Sequence, residues 1–153
     1  MRAINHALTG AIIGLASGNV WVAAPAAVAS HFALDVIPHH NFKGESMHRP
    51  IFFKVLVLDF IFCMVFAGLL FYWRPNDWPL AIVCAFLAVA PDFMWFPKYK
   101  RAKNGHHPVE HTGIIRFHHD IQWFQRPIGG VVEIAWFFAA SFMLYAVIHY
   151  SWF

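Results

Sequence analysis

The sequence predicts an all-α integral membrane bundle of about five helices, with one amphipathic helix lying at the interface. Three observations carry this expectation. Hydrophobic residues make up 59% of the 153-residue chain and charged residues only 12%, against about 25% in a soluble domain. No charged residue lies between Arg2 and Asp35. Turn signals cut the apolar stretches into lengths near the ~20 residues that a bilayer requires. The length fits one membrane domain over residues 1–153.

The run after Arg2 is too long for one plain span. Gly18-Asn19 is a turn signal in its middle, giving one helix over about residues 4–17 and another over about 20–37. The first is short, ~21 Å at 1.5 Å per residue, and is expected to tilt or to span only in part. Pro25 falls in the first turns of the second, where it is tolerated. A third helix covers about 50–73, opened by Pro50. Arg74-Pro75-Asn76-Asp77 is a turn, a fourth helix covers about 78–96, and a fifth about 127–152. Trp73, Trp78, Tyr72, Tyr150 and Trp152 cluster at helix ends, as an interfacial belt does. A cleaved signal at the N-terminus is the weaker reading, because Asn5 and His6 interrupt its apolar region.

The polar stretch before the fifth helix predicts an interfacial helix over about 108–125. Ile114, Phe117, Ile121 and Phe124 form its apolar stripe. His107, His111 and His118 fall at the edge of that stripe, with Gln122 beside them, while His119 and Asp120 point further round.

Charge predicts orientation. Arg2, Lys43, Arg49, Lys54, Lys98, Lys100, Arg101, Lys103, Arg116 and Arg126 fall on one side of the alternating helices, and only Arg74 on the other. By the positive-inside rule the N-terminus and the His-rich loops are cytoplasmic, at an inner (plasma) membrane. The net charge of +3 is small and gives no reason to expect a nucleic-acid partner. Cys63 and Cys84 lie in apolar runs, fit no metal spacing, and read as core or lipid-facing thiols.

There is an internal echo. Trp21 precedes Asp35, and Trp78 precedes Asp92, by the same interval. Arg-Pro-Ile opens the third helix at Arg49 and the fifth at Arg126, and an acid follows inside each, Asp59 and Glu133. Parallel repeats of this kind occur in membrane folds, and a duplication is one reading of the pattern.

The polar residues demand explanation, because charges in a span are costly and are functional candidates by default. His31 and Asp35 are i and i+4 on one helix face. His6, Asp59, Asp92 and Glu133 fall at the same depth on other helices. Each alone also has a structural reading, as a paired or protonated group. Helices agreeing on one level is the pattern of a metal site in a bundle core. Mixed imidazole and carboxylate ligands fit zinc, manganese or iron better than calcium, and so many candidates would hold one or two ions. His107-Pro108-Val109-Glu110-His111 also matches the inverted zinc-protease pattern, but Pro108 makes it a helix start rather than a helix interior.

The motifs NHALTGAIIGL, SHFALDVIPHH, APDF and FHHDIQW together resemble a family of small bacterial and archaeal membrane proteins described as membrane-bound metal-dependent hydrolases. The resemblance covers most of the chain. It implies that His6, His31, Asp35, His39, Asp92 and His118 hold a divalent transition metal. The family's usual His-Arg-Gly segment is not evident, and the His-Arg-Pro-Ile at His48 matches it only in part.

The expected function is metal-assisted hydrolysis of a lipid-like or phosphoester substrate at the cytoplasmic face. Asp59 or Glu133 would be the general base or a bridging carboxylate. Arg49 and Arg126 would bind an anionic lipid or phosphoester. His40, His111 and His119 are subsidiary ligand candidates. Two other classes stay open: a metal-ion or proton transporter using Asp59 and Glu133, and a non-catalytic scaffold that binds haem through two histidines.

Overall fold

The computed structural model describes residues 1–40, 50–96, 113–122 and 128–150. Arg49, Arg126, His111 and the His-Pro-Val-Glu-His segment lie outside the described residues. The described part is all-helical: α1 (Ala3–Ser17), α2 (Val20–Val36), α3 (Pro50–Trp73), α4 (Trp78–Val89), a 3-10 segment (Ala90–Trp95), α5 (Gly113–Ile121) and α6 (Gly129–Tyr150).

Local chemistry sets the ends. Gly18 takes a left-handed φ of 57° and returns its N–H to Gly14 O at 3.2 Å, which closes α1. Asn19 then caps α2, its side chain accepting from Trp21 N at 2.9 Å. Where a single helix is expected through residue 96, the chain tightens instead into 3-10 geometry at Ala90. Pro91 is the physical reason: it has no N–H to give to the carbonyl four residues back.

α1 is the centre of the bundle, packing against α4, α2, α6 and α3. Glycines permit the closest of these contacts. A Cβ on Gly10 would lie 2.3 Å from Cys84 O, and one on Gly14 would lie 2.8 Å from Ala81 Cα. The lining of that seam is small: Ala7, Ala11, Ala81, Cys84 and Ala88 are all buried.

Beside its apolar core the chain buries many polar side chains and exposes many large apolar ones, which departs from a soluble protein. Asn5, His6, His31, Asp35, His39, Asp59 and Glu133 are buried, while Phe60, Phe71, Phe138, Phe142 and many other large apolar side chains are exposed. α3 and α6 are long and apolar enough to cross a membrane. At 24 and 22 residues they reach roughly 36 and 33 Å at 1.5 Å per residue, against a hydrocarbon core of about 30 Å. The buried polar residues gather at one end of the bundle, where α1, α3 and α6 begin and α2 and α4 finish.

Candidate metal centre

His31 and Asp35 lie one turn apart on α2, and both are fully buried. The 3-10 segment places Asp92 beside them, and α5 brings His118 in from above. One ligand atom from each of these four residues lies within 4.8 Å of the others, a group that could hold a metal ion. His118 Nε2 is 2.9 Å from Asp35 Oδ2 and 3.0 Å from His31 Nε2. His31 Nε2 is 3.4 Å from the same Asp35 oxygen and 3.9 Å from Asp92 Oδ1.

These spacings suit a cation. Ligand atoms at 2.0–2.1 Å around a tetrahedral metal are about 3.3–3.4 Å apart, and the four distances straddle that edge. The tautomer also suits it. His31 Nδ1 lies 2.7 Å from Ala88 O. A backbone carbonyl only accepts, so Nδ1 carries the proton and the neutral ring turns its Nε2 lone pair into the group. Two imidazole nitrogens 3.0 Å apart repel unless a proton or a cation lies between them.

Asp35 is the hub. Its Oδ2 faces His31, His118 and Gln122, whose Nε2 donates to it at 2.8 Å. Its Oδ1 contacts the N-terminal ammonium and lies 3.3 Å from His6 Nε2. His6 stacks on His31 with centroids 4.1 Å apart, so it backs the group from behind. Its ring nitrogens are buried, and neither makes a hydrogen bond among the described residues. Phe32 packs against both Phe117 and His118, and thereby seats α5 on α2.

The remaining candidates fall elsewhere. His39 is buried, with Nδ1 2.8 Å from Ile37 O and Nε2 without a partner among the described residues. Burial holds its imidazole below the usual value, and the N-terminal ammonium acts in the same direction. His40 is half-buried in the same turn. His119 is exposed on α5 and lies 3.4 Å from Asp120 Oδ1.

Asp59 and Glu133 meet the first turn of α1 rather than the group of four. Asp59 accepts from Ala3 N at 2.8 Å and from Ile4 N at 3.2 Å, a helix cap delivered by a neighbouring helix. Glu133 Oε2 lies 3.7 Å from Arg2 Nε, while its Oε1 is buried with no hydrogen-bond partner among the described residues. Asn5 Nδ2 donates to Glu133 O at 3.1 Å.

Gln122 is the site residue for which the sequence alone supplied no role. Its only signal is its place one turn beyond His118. The Ala88 carbonyl that orients His31 leaves no trace in residue type at all. No protein-family model, no curated protein and no solved structure matches this chain.

Proposed function

We propose that this chain is an integral membrane, metal-dependent hydrolase acting on a lipid-like or phosphoester substrate at the cytoplasmic face. The observation that carries the reading is the convergence of His31, Asp35, Asp92 and His118 from three separate elements. The apolar exterior of α3 and α6 supports the membrane placement. The charge asymmetry in the sequence supports the orientation, and the motif resemblance supports the reaction class.

In this reading the four residues hold one divalent transition metal, and zinc suits two imidazoles with two carboxylates. Manganese or iron is an alternative occupant. Bound there, a metal would polarise a substrate oxygen as a Lewis acid and would make a nearby water more acidic. Asp35 sets the charge of the site, and His31 is held for ligation by its bond to Ala88. Of the two acids nominated as base, Asp59 is engaged by α1. Glu133 meets Arg2 rather than the group of four and keeps one oxygen without a partner among the described residues, which leaves it the stronger of the two nominees without placing it at the metal. Arg49 and Arg126 are assigned to the anionic part of the substrate.

Elemental analysis of the purified protein tests the site. The expected result is about one transition metal per chain in the wild type, lost in the His31→Ala/Asp35→Ala double variant. Metal-free wild type, or unchanged metal in the variant, overturns it. Hydrolysis of a chromogenic phosphoester by the loaded protein, absent after His118→Ala, tests the reaction class.

One observation favours a second reading. Glu133 carries a buried carboxylate oxygen without a hydrogen-bond partner among the described residues, inside a long apolar helix, as groups on an ion or proton path do. Metal or proton flux in proteoliposomes that is lost in Glu133→Gln would select transport over hydrolysis.

A further inference from the structure

The opposite end of the bundle holds a cleft of about 370 Å³. Its apolar wall comes from the last turns of three helices: Leu15 of α1, Trp73 of α3, and Val147 and Ile148 of α6. Its polar rim is the turn between α3 and α4, with Arg74 and Asp77 at its two ends and Asn76 between them. That volume is within the range of small-ligand sites.

The two charges of the rim are built into place. Arg74 (φ 45°) and Asp77 (φ 58°) both adopt the left-handed conformation that usually falls to glycine. Arg74 N–H donates to Leu70 O at 3.0 Å and so closes α3. Its Nε donates to Phe71 O at 3.3 Å, and the guanidinium lies 5.0 Å from the Phe71 ring centroid. These contacts hold the side chain through Nε and the ring face, and its outer nitrogens make no hydrogen bond among the described residues. Among the described residues, neither Arg74 nor Asp77 has an ion-pair partner, although only three positions separate them.

We propose that this cleft binds the headgroup of a zwitterionic phospholipid carrying a primary ammonium, a phosphoethanolamine lipid. The Arg74 guanidinium takes the phosphate, for which its fork of donors is matched. The Asp77 carboxylate takes the ammonium, which sits a few bonds from the phosphate, as Asp77 follows Arg74 by three residues in the turn that rims the cleft. The acyl chain leaves along Leu15, Val147 and Ile148. An anionic lipid would leave Asp77 facing like charge, and a quaternary ammonium would offer it no N–H. This inference rests on the membrane placement of the helices and not on the metal chemistry. A metal-free protein that still prefers this lipid would overturn the hydrolase and keep the cleft.

The test is native mass spectrometry of delipidated full-length protein. The probes are phosphatidylethanolamine, phosphatidylglycerol and phosphatidylcholine with identical acyl chains, added from mixed micelles. The expected result is about tenfold tighter retention of phosphatidylethanolamine, the low end for a charge-assisted hydrogen bond at a site open to water. Asp77→Asn should abolish that preference while leaving phosphatidylcholine binding unchanged, because asparagine accepts the left-handed backbone and keeps the turn. Arg74→Gln should weaken all three lipids, and Arg74→Lys should restore part of the loss. Equal retention of the three lipids by the wild type overturns the proposal. So does an unchanged preference in Asp77→Asn, a variant whose thermal midpoint shows directly that it has folded.

Discussion

His118 Nε2 lies 2.9 Å from Asp35 Oδ2, joining positions 83 residues apart in the chain. The two side chains have unlike supports. Asp35 sits on a helix packed into the bundle, whereas α5 contains no buried residue. A nine-residue helix is shorter than the ~12–15 residues at which isolated helices become even marginal. Its placement therefore depends on the Phe32–Phe117 contact and on the polar grip of His118 and Gln122 on Asp35.

Gln122→Ala removes one of those grips without removing a metal ligand. Metal affinity should fall about 10- to 100-fold, the usual cost of losing an outer partner. Competition against a chelator measures it, and an unchanged affinity would take Gln122 out of the site. In the same assay, affinity should fall as the pH is lowered, because ligating imidazoles must be unprotonated.

Gly129 and Gly130 are neighbours with opposite surroundings. A Cβ on Gly129 would lie 2.2 Å from the His39 carbonyl carbon, whereas one on Gly130 meets nothing within 4 Å. Gly129→Ala should destabilise by about 1–3 kcal/mol through overpacking. Gly130→Ala should be neutral or stabilise by up to about 1 kcal/mol through better helix propensity. Thermal unfolding of both variants in the same detergent decides, and equal midpoints would contradict the close approach of α6 to the residue-39 turn.

Much of this architecture was legible in the residues themselves. Gly18-Asn19 and Arg74-Pro75-Asn76-Asp77 announce turns because their backbone preferences are local. His31 and Asp35 announce a shared face because helical spacing is local too. What the sequence withheld depends on contacts through space. Nothing in the pattern of α1 identifies it as the central helix, because Gly10 and Gly14 matter only through the Cys84 and Ala81 backbone they meet. Asp59 looks like any acid in an apolar run until the N–H groups of Ala3 and Ile4 are seen against it. The 3-10 segment was hidden for a different reason. Pro91 was visible, but whether a proline ends, kinks or tightens a helix depends on what the following turn packs against.

Asp59→Ala should cost about 1–2 kcal/mol, the range for a lost helix cap. It should do so without changing metal stoichiometry, since Asp59 is not among the four grouped residues. Unfolding midpoints and elemental analysis of one preparation separate the two effects. Loss of metal at an unchanged midpoint would place Asp59 at the site and remove its capping role.

His39 gives the protein a pH dependence whose sign follows from its burial. Its folded-state value is depressed, so the unfolded chain takes up the proton first as the pH falls. No stability depends on this group well above its usual value of 6.5, and stability drains away as the pH drops below it. His39→Gln should flatten the fall in thermal midpoint between about pH 7.5 and 5.5. An equally steep fall in the variant would assign the effect to other histidines.

The order of the chain gives Asp35 a history during synthesis. It leaves the ribosome 83 residues ahead of His118 and 87 ahead of Gln122, so these eventual partners do not yet exist when α2 is made. His6 and His31 both precede it. Two of the carboxylate's neighbours in the finished fold, the stacked imidazoles of His6 and His31, are thus made before the acid they face. A chain lacking both would hold that acid without either imidazole until α5 is made.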